Sequence, residues 1–406
     1  MQPGFTGKNT EMRIELPENV KKVIAALHDS GYEAYAVGGC VRDSCLGREP
    51  GDWDVTTSAR PEEIKQVFRH TVDTGIEHGT VTVLIYNEDD TFGAYEVTTY
   101  RIDGEYADGR HPMHVEFTPS LIEDLKRRDF TINAMAYNDD AGIVDMFDGM
   151  ADLDRKVIRC VGVADERFDE DALRILRALR FSAQLGFTIE EETAHSILKK
   201  GQNLEKVSRE RVYAELNKLL CSARHERIRD IQALGLSPYI AAGFEKTEPA
   251  EVPLPEIPTE KRYLRYAVIF RNAPKTVSPF LRELKADNDT IRGASVLAAA
   301  LNAEISAEPY ELKCFIGRLG TQYFEDLLEL KRELKHDTAA ARASYAEITA
   351  ANEPIFLKDL ALTGSDLVKS GVTPGPKVGD LLEAMLDTVR RDPAKNTAEE
   401  LEKLYL

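Results

Sequence analysis

An α+β N-terminal part followed by helices to the far end is the fold class this sequence predicts, on three observations. Runs with strand character lie ahead of residue 145. From Asp165 onward apolar residues recur almost wholly at helical spacing. A proline- and acid-rich stretch, Glu245 to Thr259, then separates one helical block from the next and reads as a linker or long loop.

The bulk numbers bound the answer. A chain of 406 residues, 43% hydrophobic, is ample for a buried core and for two to four domains. With a formal net charge of −18, a polyanionic partner has to be met by a local basic patch on an otherwise repelling surface. The five cysteines, at 40, 45, 160, 221 and 314, show no paired CxxC spacing. That argues against a cysteine metal site or a disulfide framework and suits a reducing cytoplasm. No apolar run approaches membrane-spanning length, and the segment before Glu18 lacks a signal-peptide core and reads as a short disordered lead-in. A soluble cytoplasmic protein is expected.

Taken in order, Val20, Val23, Ile24 and Leu27 give a helix over Glu18 to His28, ended by Gly31. Glu33 to Val37 is the first strand. Gly38-Gly39 follow it, where missing side chains let a phosphate approach backbone N–H groups. Val41 to Leu46 reads as a helix that brings Arg42 within reach of such a phosphate. Asp52 and Asp54 flank Trp53 and lead into Val55-Thr56-Thr57. In extended chain, residues i and i+2 share a face, so two carboxylates stand side by side, a costly arrangement without a hard cation. A phosphate cradle beside a carboxylate pair points to nucleotide chemistry.

Pro61 to Phe68 is a short amphipathic helix, and Gly79 to Tyr86 and Phe92 to Arg101 form a hairpin turned at 87–91. Glu96 shares a face with Thr98, which places it to supply a third acid. Ile102 to Pro119, rich in Gly, Pro and charge, reads as a long mobile loop of the kind that carries function. In Leu121 to Tyr137, Lys126, Arg127 and Arg128 precede Asp129, with Asn133 one helical turn further on, offering donors for phosphate and sugar hydroxyls.

Asp169 to Phe187 predicts one helix with an apolar stripe of Ala172, Ile175, Leu176, Leu179 and Ala183. Asp171, Arg174, Arg177 and Arg180 wind along the rest of its surface, and arginines without lysine suggest planar, bidentate recognition. Ser208 to Leu220 is another amphipathic helix inside a locally basic region, where a polynucleotide backbone fits best. Further helices are expected at Pro279 to Lys285, Thr290 to Leu301, Tyr310 to Leu319, Gln322 to Ile348 and Val378 to Arg391.

The stretches VGGCVRD, GDWDVTT, EVTTYR, RRDFTINAMAY, DEDALRILRALRFSAQLGF and SRERVYAELNKLL, all in this order, resemble the class II nucleotidyltransferases, and among them the bacterial CCA-adding tRNA nucleotidyltransferases. The resemblance is dense over about the first 230 residues and loose beyond. It implies a nucleotidyltransferase head of polymerase-beta-like type on a mixed β-sheet over 1–145. A helical neck over 146–244 would follow, and then a helical body and tail over 245–406 that bind tRNA. The implied reaction is template-independent addition of the 3′-terminal CCA from CTP and ATP, releasing pyrophosphate, with Mg²⁺ as cofactor.

Residue by residue, the resemblance implies that Gly38, Gly39 and Arg42 hold the triphosphate. It implies that Asp52 and Asp54 coordinate the metal ions, with Glu96 near the tRNA 3′-hydroxyl. Arg128, Asp129 and Asn133 would contact triphosphate and ribose. Asp171 and Arg174 would read the base, supported by Arg177 and Arg180. No membrane and no DNA partner is expected.

Three alternatives stay open. Bacterial poly(A) polymerases share the core, but Thr74 to Val81 looks like the CCA-adding form. CC-adding relatives lack the loop at 102–119, which favours full CCA addition, though an A-only enzyme keeps that loop. A nucleotide-sensing protein with a silent core would have lost an acid, and Asp52, Asp54 and Glu96 are all present. Relatives with an HD phosphohydrolase domain need histidines that 245–320 does not contain, so no such activity is expected.

Overall fold

A computed structural model describes residues 12–87, 91–103, 115–249 and 257–406. The chain divides into two compact units, Met1–Ala241 and Ala242–Leu406.

The first unit is organised on a seven-stranded sheet. Its strands are β1 (Ala34–Val37), β2 (Val55–Thr57), β3 (Thr71–Gly75), β4 (Thr80–Tyr86), β5 (Phe92–Thr99), β8 (Met135–Asn138) and β9 (Gly142–Asp145), in the order β3-β4-β5-β2-β1-β8-β9. The β2–β5 pair is parallel and the rest are antiparallel, so the sheet is mixed, as expected. β6 (Arg101–Asp103) and β7 (Val115–Phe117) form a separate antiparallel pair. The loop expected over 102–119 thus begins and ends in a ladder, and its middle lies outside the described residues. So does the tip of the β4–β5 hairpin.

Burial explains why these strands form. Along β5, Val97 and Thr99 are buried while Phe92, Ala94 and Glu96 are exposed, the alternation of a sheet with one covered face. The helices α1 (Glu18–Asp29), α2 (Gly39–Cys45) and α3 (Pro61–Val67) come next to this sheet in the chain, and α3 packs on β4 and β5. Just ahead of α1, Ile14 and Leu16 are buried, so that end of the expected lead-in packs into the unit; residues 1–11 lie outside the described ones.

Two helical readings are corrected in this first unit. The Leu121 to Tyr137 stretch is no single helix. It gives α4 (Leu121–Lys126), a short turn at Thr131–Asn133, and then β8, whose Met135, Ala136 and Tyr137 are buried beside β1. Tertiary burial on both sides overrides local helix propensity there. After α5 (Gly149–Arg155), the helix expected over Asp169 to Phe187 is broken. It divides into α6 (Ala164–Glu170) and α7 (Leu173–Leu185), with Asp171 extended at the joint (φ −144°, ψ 101°). The stripe is as the period demands: Ala172, Ile175, Leu176, Leu179 and Ala183 are all buried. α8 (Glu191–Lys200) and α9 (Arg209–Leu220) follow, and α9 packs on α7.

The second unit is helical among its described residues. Its rings Phe244, Tyr266, Phe270 and Phe280 are fully buried together, with Phe270 and Phe280 centroids 4.9 Å apart. The helix expected over Gln322 to Ile348 is interrupted between Thr321–Glu333 and Ala339–Ala350, where Lys335 takes a left-handed turn (φ 61°). Toward the end, Leu367, Met385, Leu386, Val389 and Leu401 close a separate core.

Candidate active site

The phosphate side starts at the end of β1. Gly38 has φ 83° and ψ −125°, a conformation that side chains avoid. Its N–H donates to the Met135 carbonyl at 3.0 Å, which pins the turn to β8. The Gly38 N–H is therefore occupied, and the N–H groups without a helical partner are those of the first turn of α2. Arg42 is nearly buried, and each of its three guanidinium nitrogens donates one bond inside the protein. Its Nε and one terminal nitrogen grip Asp43 at 2.9 and 2.8 Å, and the other donates to Asn133 Oδ1 at 2.7 Å.

Asn133 in turn donates to Asp129 at 3.0 Å, and Asp129 accepts two further bonds from Arg177, at 2.8 and 2.6 Å. Burial opposes charge on Asp129. The Arg177 and Arg174 guanidiniums and the Asn133 amide outweigh it and hold the carboxyl down at about 2. Arg42, Asn133, Asp129 and Arg177 are thus one continuous polar chain beneath the Gly38 turn.

The acid side is open. Asp52 and Asp54 occupy the extended lead-in to β2, both exposed, and the Asp54 carbonyl accepts from Val37 N–H at 3.0 Å. Val55 pairs with Val97, so Glu96 on β5 lies across from Asp54. The protein around the carboxyl, then the negative charges of Glu96 and Asp52, push Asp54 above the ordinary carboxylate range, against the pull of Arg128. Among the described residues no three Asp, Glu, His or Cys side chains already stand at metal-ligand spacing. Two carboxylates completed by substrate phosphates are a common way to hold Mg²⁺, and oxygen donors crowded by like charge fit such an ion.

Sequence reasoning missed Asp124. It is fully buried on α4, accepts from Arg127 Nε at 2.9 Å and from Thr56 Oγ1 at 3.1 Å, and pairs with Arg128 at 3.5 Å. Burial resists its charge, but Arg127 and Arg128 win and its pKa is lowered. Thr56 is two residues beyond Asp54, so Asp124 ties the acid-bearing strand to the arginine that opposes those acids. Its spacing of three and four residues from Arg127 and Arg128 was the available signal.

The pair expected to read the base, Asp171 and Arg174, is held by the protein itself. Asp171 receives a two-pronged ion pair from Arg211 on α9 (2.7 and 3.2 Å) and also accepts the Leu173 N–H at 3.0 Å. Arg174 donates to Glu170 at 2.6 Å and to the Arg127 carbonyl at 3.0 Å. Arg180, nearly buried, pairs with Glu215 at 2.5 Å and stacks over Phe181, 3.9 Å from the ring centroid. The arginine row is therefore no exposed surface stripe. Its planar, bidentate recognition is met first by internal carboxylates: Asp129, Glu170 and Glu215. The partners Glu170, Arg211 and Glu215 were not singled out from sequence, and for the two on α9 no local spacing reveals the pairing. A cavity of about 600 Å³, lined in part by Thr131, Phe147, Arg159 and Ser196, contains none of these acids; cavity size does not locate this site.

Three family models match the chain. Residues 34–159 match the poly A polymerase head domain, and 186–246 match a probable RNA and SrmB-binding site of polymerase A. Residues 259–404 match a tRNA nucleotidyltransferase domain 2. A CCA-adding enzyme of Lactobacillus delbrueckii subsp. bulgaricus is 38% identical over 398 residues, covering 96% of this chain and 97% of that protein. One from Pediococcus pentosaceus is 36% identical, covering 93% and 95%. The crystal structure of the Bacillus stearothermophilus CCA-adding enzyme in complex with CTP superposes with a TM-score of 0.80 at 32% identity, covering 95% of this chain and 97% of that one. At 21% identity and a TM-score of 0.62, the Thermotoga maritima CCA-adding enzyme complexed with tRNA shares the fold.

Proposed function

Because the chain belongs to the CCA-adding enzymes, we propose a division of labour among its site residues for that reaction. The activity is template-independent addition of the 3′-terminal CCA to tRNA from CTP and ATP, with release of pyrophosphate. One observation carries the assignment of chemistry: Asp54 is crowded by both Asp52 and Glu96, with Arg128 as the opposing charge.

Asp52 and Asp54 hold Mg²⁺, and Glu96 stands beside the 3′-hydroxyl of the RNA. The ions, when bound, make that hydroxyl more acidic and neutralise the leaving pyrophosphate. Gly38, Gly39, Arg42 and Arg128 receive the triphosphate. Arg128 can do so because its ion pair with Asp124, at 3.5 Å, is long. Asp129 and Asn133 orient the ribose and keep Arg42 in place, with Arg177 fixing Asp129.

Asp171 and Arg174 choose the base. Adenine and cytosine each set an exocyclic amine beside a ring-nitrogen acceptor, which one acceptor and one donor satisfy together. Guanine and uracil reverse that polarity and leave buried groups unpaired, where discrimination is strong. A carboxylate has about four lone-pair sites; Arg211 and the Leu173 N–H occupy three on Asp171, so one remains for the amine. Arg180, through Glu215, sets the position of α7 against α9.

We assign 1–145 to the catalytic head, 146–244 to a neck carrying base recognition, and 245–406 to a tRNA-binding body and tail. Among the described residues no helix is long and apolar enough to cross a membrane, and all five cysteines are free, which supports a cytoplasmic location. The test is incorporation of labelled CTP and ATP, separately and together, into tRNA lacking its 3′ end, with Mg²⁺ or with chelator. Full CCA addition that chelator abolishes is expected. Incorporation of ATP alone would reassign the enzyme as A-adding, and none at all would overturn the reading.

A further inference from the structure

Phe181 stands out of period on its helix. At about 100° per residue it falls opposite the buried stripe of α7, among the arginines, and yet it is only 5% exposed. The guanidinium carbons of Arg180, Arg42 and Arg177 stand over this one ring, 3.9, 5.0 and 5.4 Å from its centroid. Phe130 packs perpendicular to it with centroids 5.9 Å apart, which holds the plane of the ring itself. Each arginine has its own carboxylate: Asp43 for Arg42, Asp129 for Arg177 and Glu215 for Arg180. The cations still crowd one another. Burial, and behind it the charge of Arg177, lowers the pKa of Arg180 against the pull of Glu215. An aromatic face attracts a cation, most where water is excluded, so the ring offsets that crowding.

We propose that Phe181 is a positioning residue for the incoming triphosphate, acting through Arg42. The proposal rests on the reading above that places the triphosphate at Arg42. The polar chain from Arg42 through Asn133 and Asp129 to Arg177 has two ends, and both lie over the Phe181 ring. The ring closes that chain into a circuit. Three N–H groups of Arg42 are spent on Asp43 and Asn133. A guanidinium fork has more donors than that, and its plane decides where the rest point. The face of the ring, carried on α7, sets that plane and keeps the remaining donors for phosphate oxygens. An aliphatic side chain of similar volume fills the space but offers no such face. Arg174 lies about two turns earlier on the same helix, so the ring also holds the triphosphate grip at a set distance from the residue assigned to the base. CTP and ATP depend on it equally, since they share the triphosphate.

The experiment uses full-length protein and tRNA lacking CCA, and compares wild type with Phe181→Leu and with a fluorine series. In that series, phenylalanines bearing progressively more ring fluorines are incorporated at position 181 alone. Fluorine keeps the shape of the ring and drains negative charge from its face. KM for CTP and for ATP should climb together along the series and reach about tenfold in Phe181→Leu, with KM for tRNA within about twofold of wild type. In an Arg42→Gln background the same series should shift KM by less than about twofold, because the group it acts through is gone. A KM for both nucleotides that stays flat along the series would overturn the proposal, whatever Phe181→Leu does, and leave the enzyme reading standing. So would an undiminished shift in the Arg42→Gln background, or a rise in KM for tRNA alone. A wild type that incorporates nothing would overturn both.

Discussion

A methyl group placed on Gly38 would stand 2.8 Å from a guanidinium nitrogen of Arg128. Turn and arginine therefore make one surface, and the turn has φ 83°. Gly38→Ala should raise KM for CTP and ATP together by about tenfold, since both share the triphosphate. The left-handed backbone adds a cost of about 1–2 kcal/mol, or a Tm lower by roughly 4 °C. Steady-state kinetics and a thermal melt check both numbers; an effect on one nucleotide alone would detach the turn from the phosphates.

Asp54→Asn should abolish transfer, by about a thousandfold or more, without lowering Tm. The sign follows from its raised pKa: the folded state disfavours charge there, so neutralising it relieves repulsion from Glu96 and Asp52. A lower melting temperature would contradict the crowding.

Asp124→Asn leaves Arg127 and Arg128 facing a buried, uncharged amide. Breaking a buried ion pair from one side costs about 3–5 kcal/mol, which urea titration measures. Stability within 1 kcal/mol of wild type (about a fivefold change in the folding constant) would show that the arginines find other partners.

Acid should unlock the Asp129 network. Its folded pKa of about 2 lies below the ordinary 3.8, so its stabilisation is complete above the latter and fades as pH falls toward the former. The interval corresponds to about 2 kcal/mol. In Asp129→Asn this acid-sensitive part should be missing, so the two proteins' unfolding free energies converge between pH 4 and 2. Parallel curves would refute it.

Asp171→Ala should relax selectivity, admitting UTP and GTP, while Mg²⁺ affinity stays as in wild type. Arg211→Gln should act more mildly, raising KM for both proper nucleotides several-fold by loosening Asp171. Unchanged selectivity in the first variant would remove Asp171 from base choice.

The sequence was most legible where chemistry is local. The glycine turn, Asp52, Asp54 and Glu96 could be placed because strand period and the i, i+2 rule carry over such short spans. The α7 stripe was legible for the same reason. The break at Asp171 was not, since no proline or glycine announces it. Nor were the pairs Asp171–Arg211, Arg180–Glu215 and Asp129–Arg177, whose partners lie 40, 35 and 48 residues apart. Each is satisfied only once α7, α9 and the Asp129 turn are packed, and a carboxylate on a distant helix leaves no periodic trace. β8 was not recognised as a strand for a related reason, because its neighbours β1 and β9 come from both sides of it in the chain.

The Gly38 N–H is fastened to the Met135 carbonyl, 97 residues downstream. On a ribosome, then, a nascent chain already displaying Asp52, Asp54 and Glu96 still has a slack phosphate turn. Only emergence of the segment around Met135 tightens it. The two carboxylate-bearing segments and the phosphate turn therefore become one site only after the chain has folded back on itself over that span.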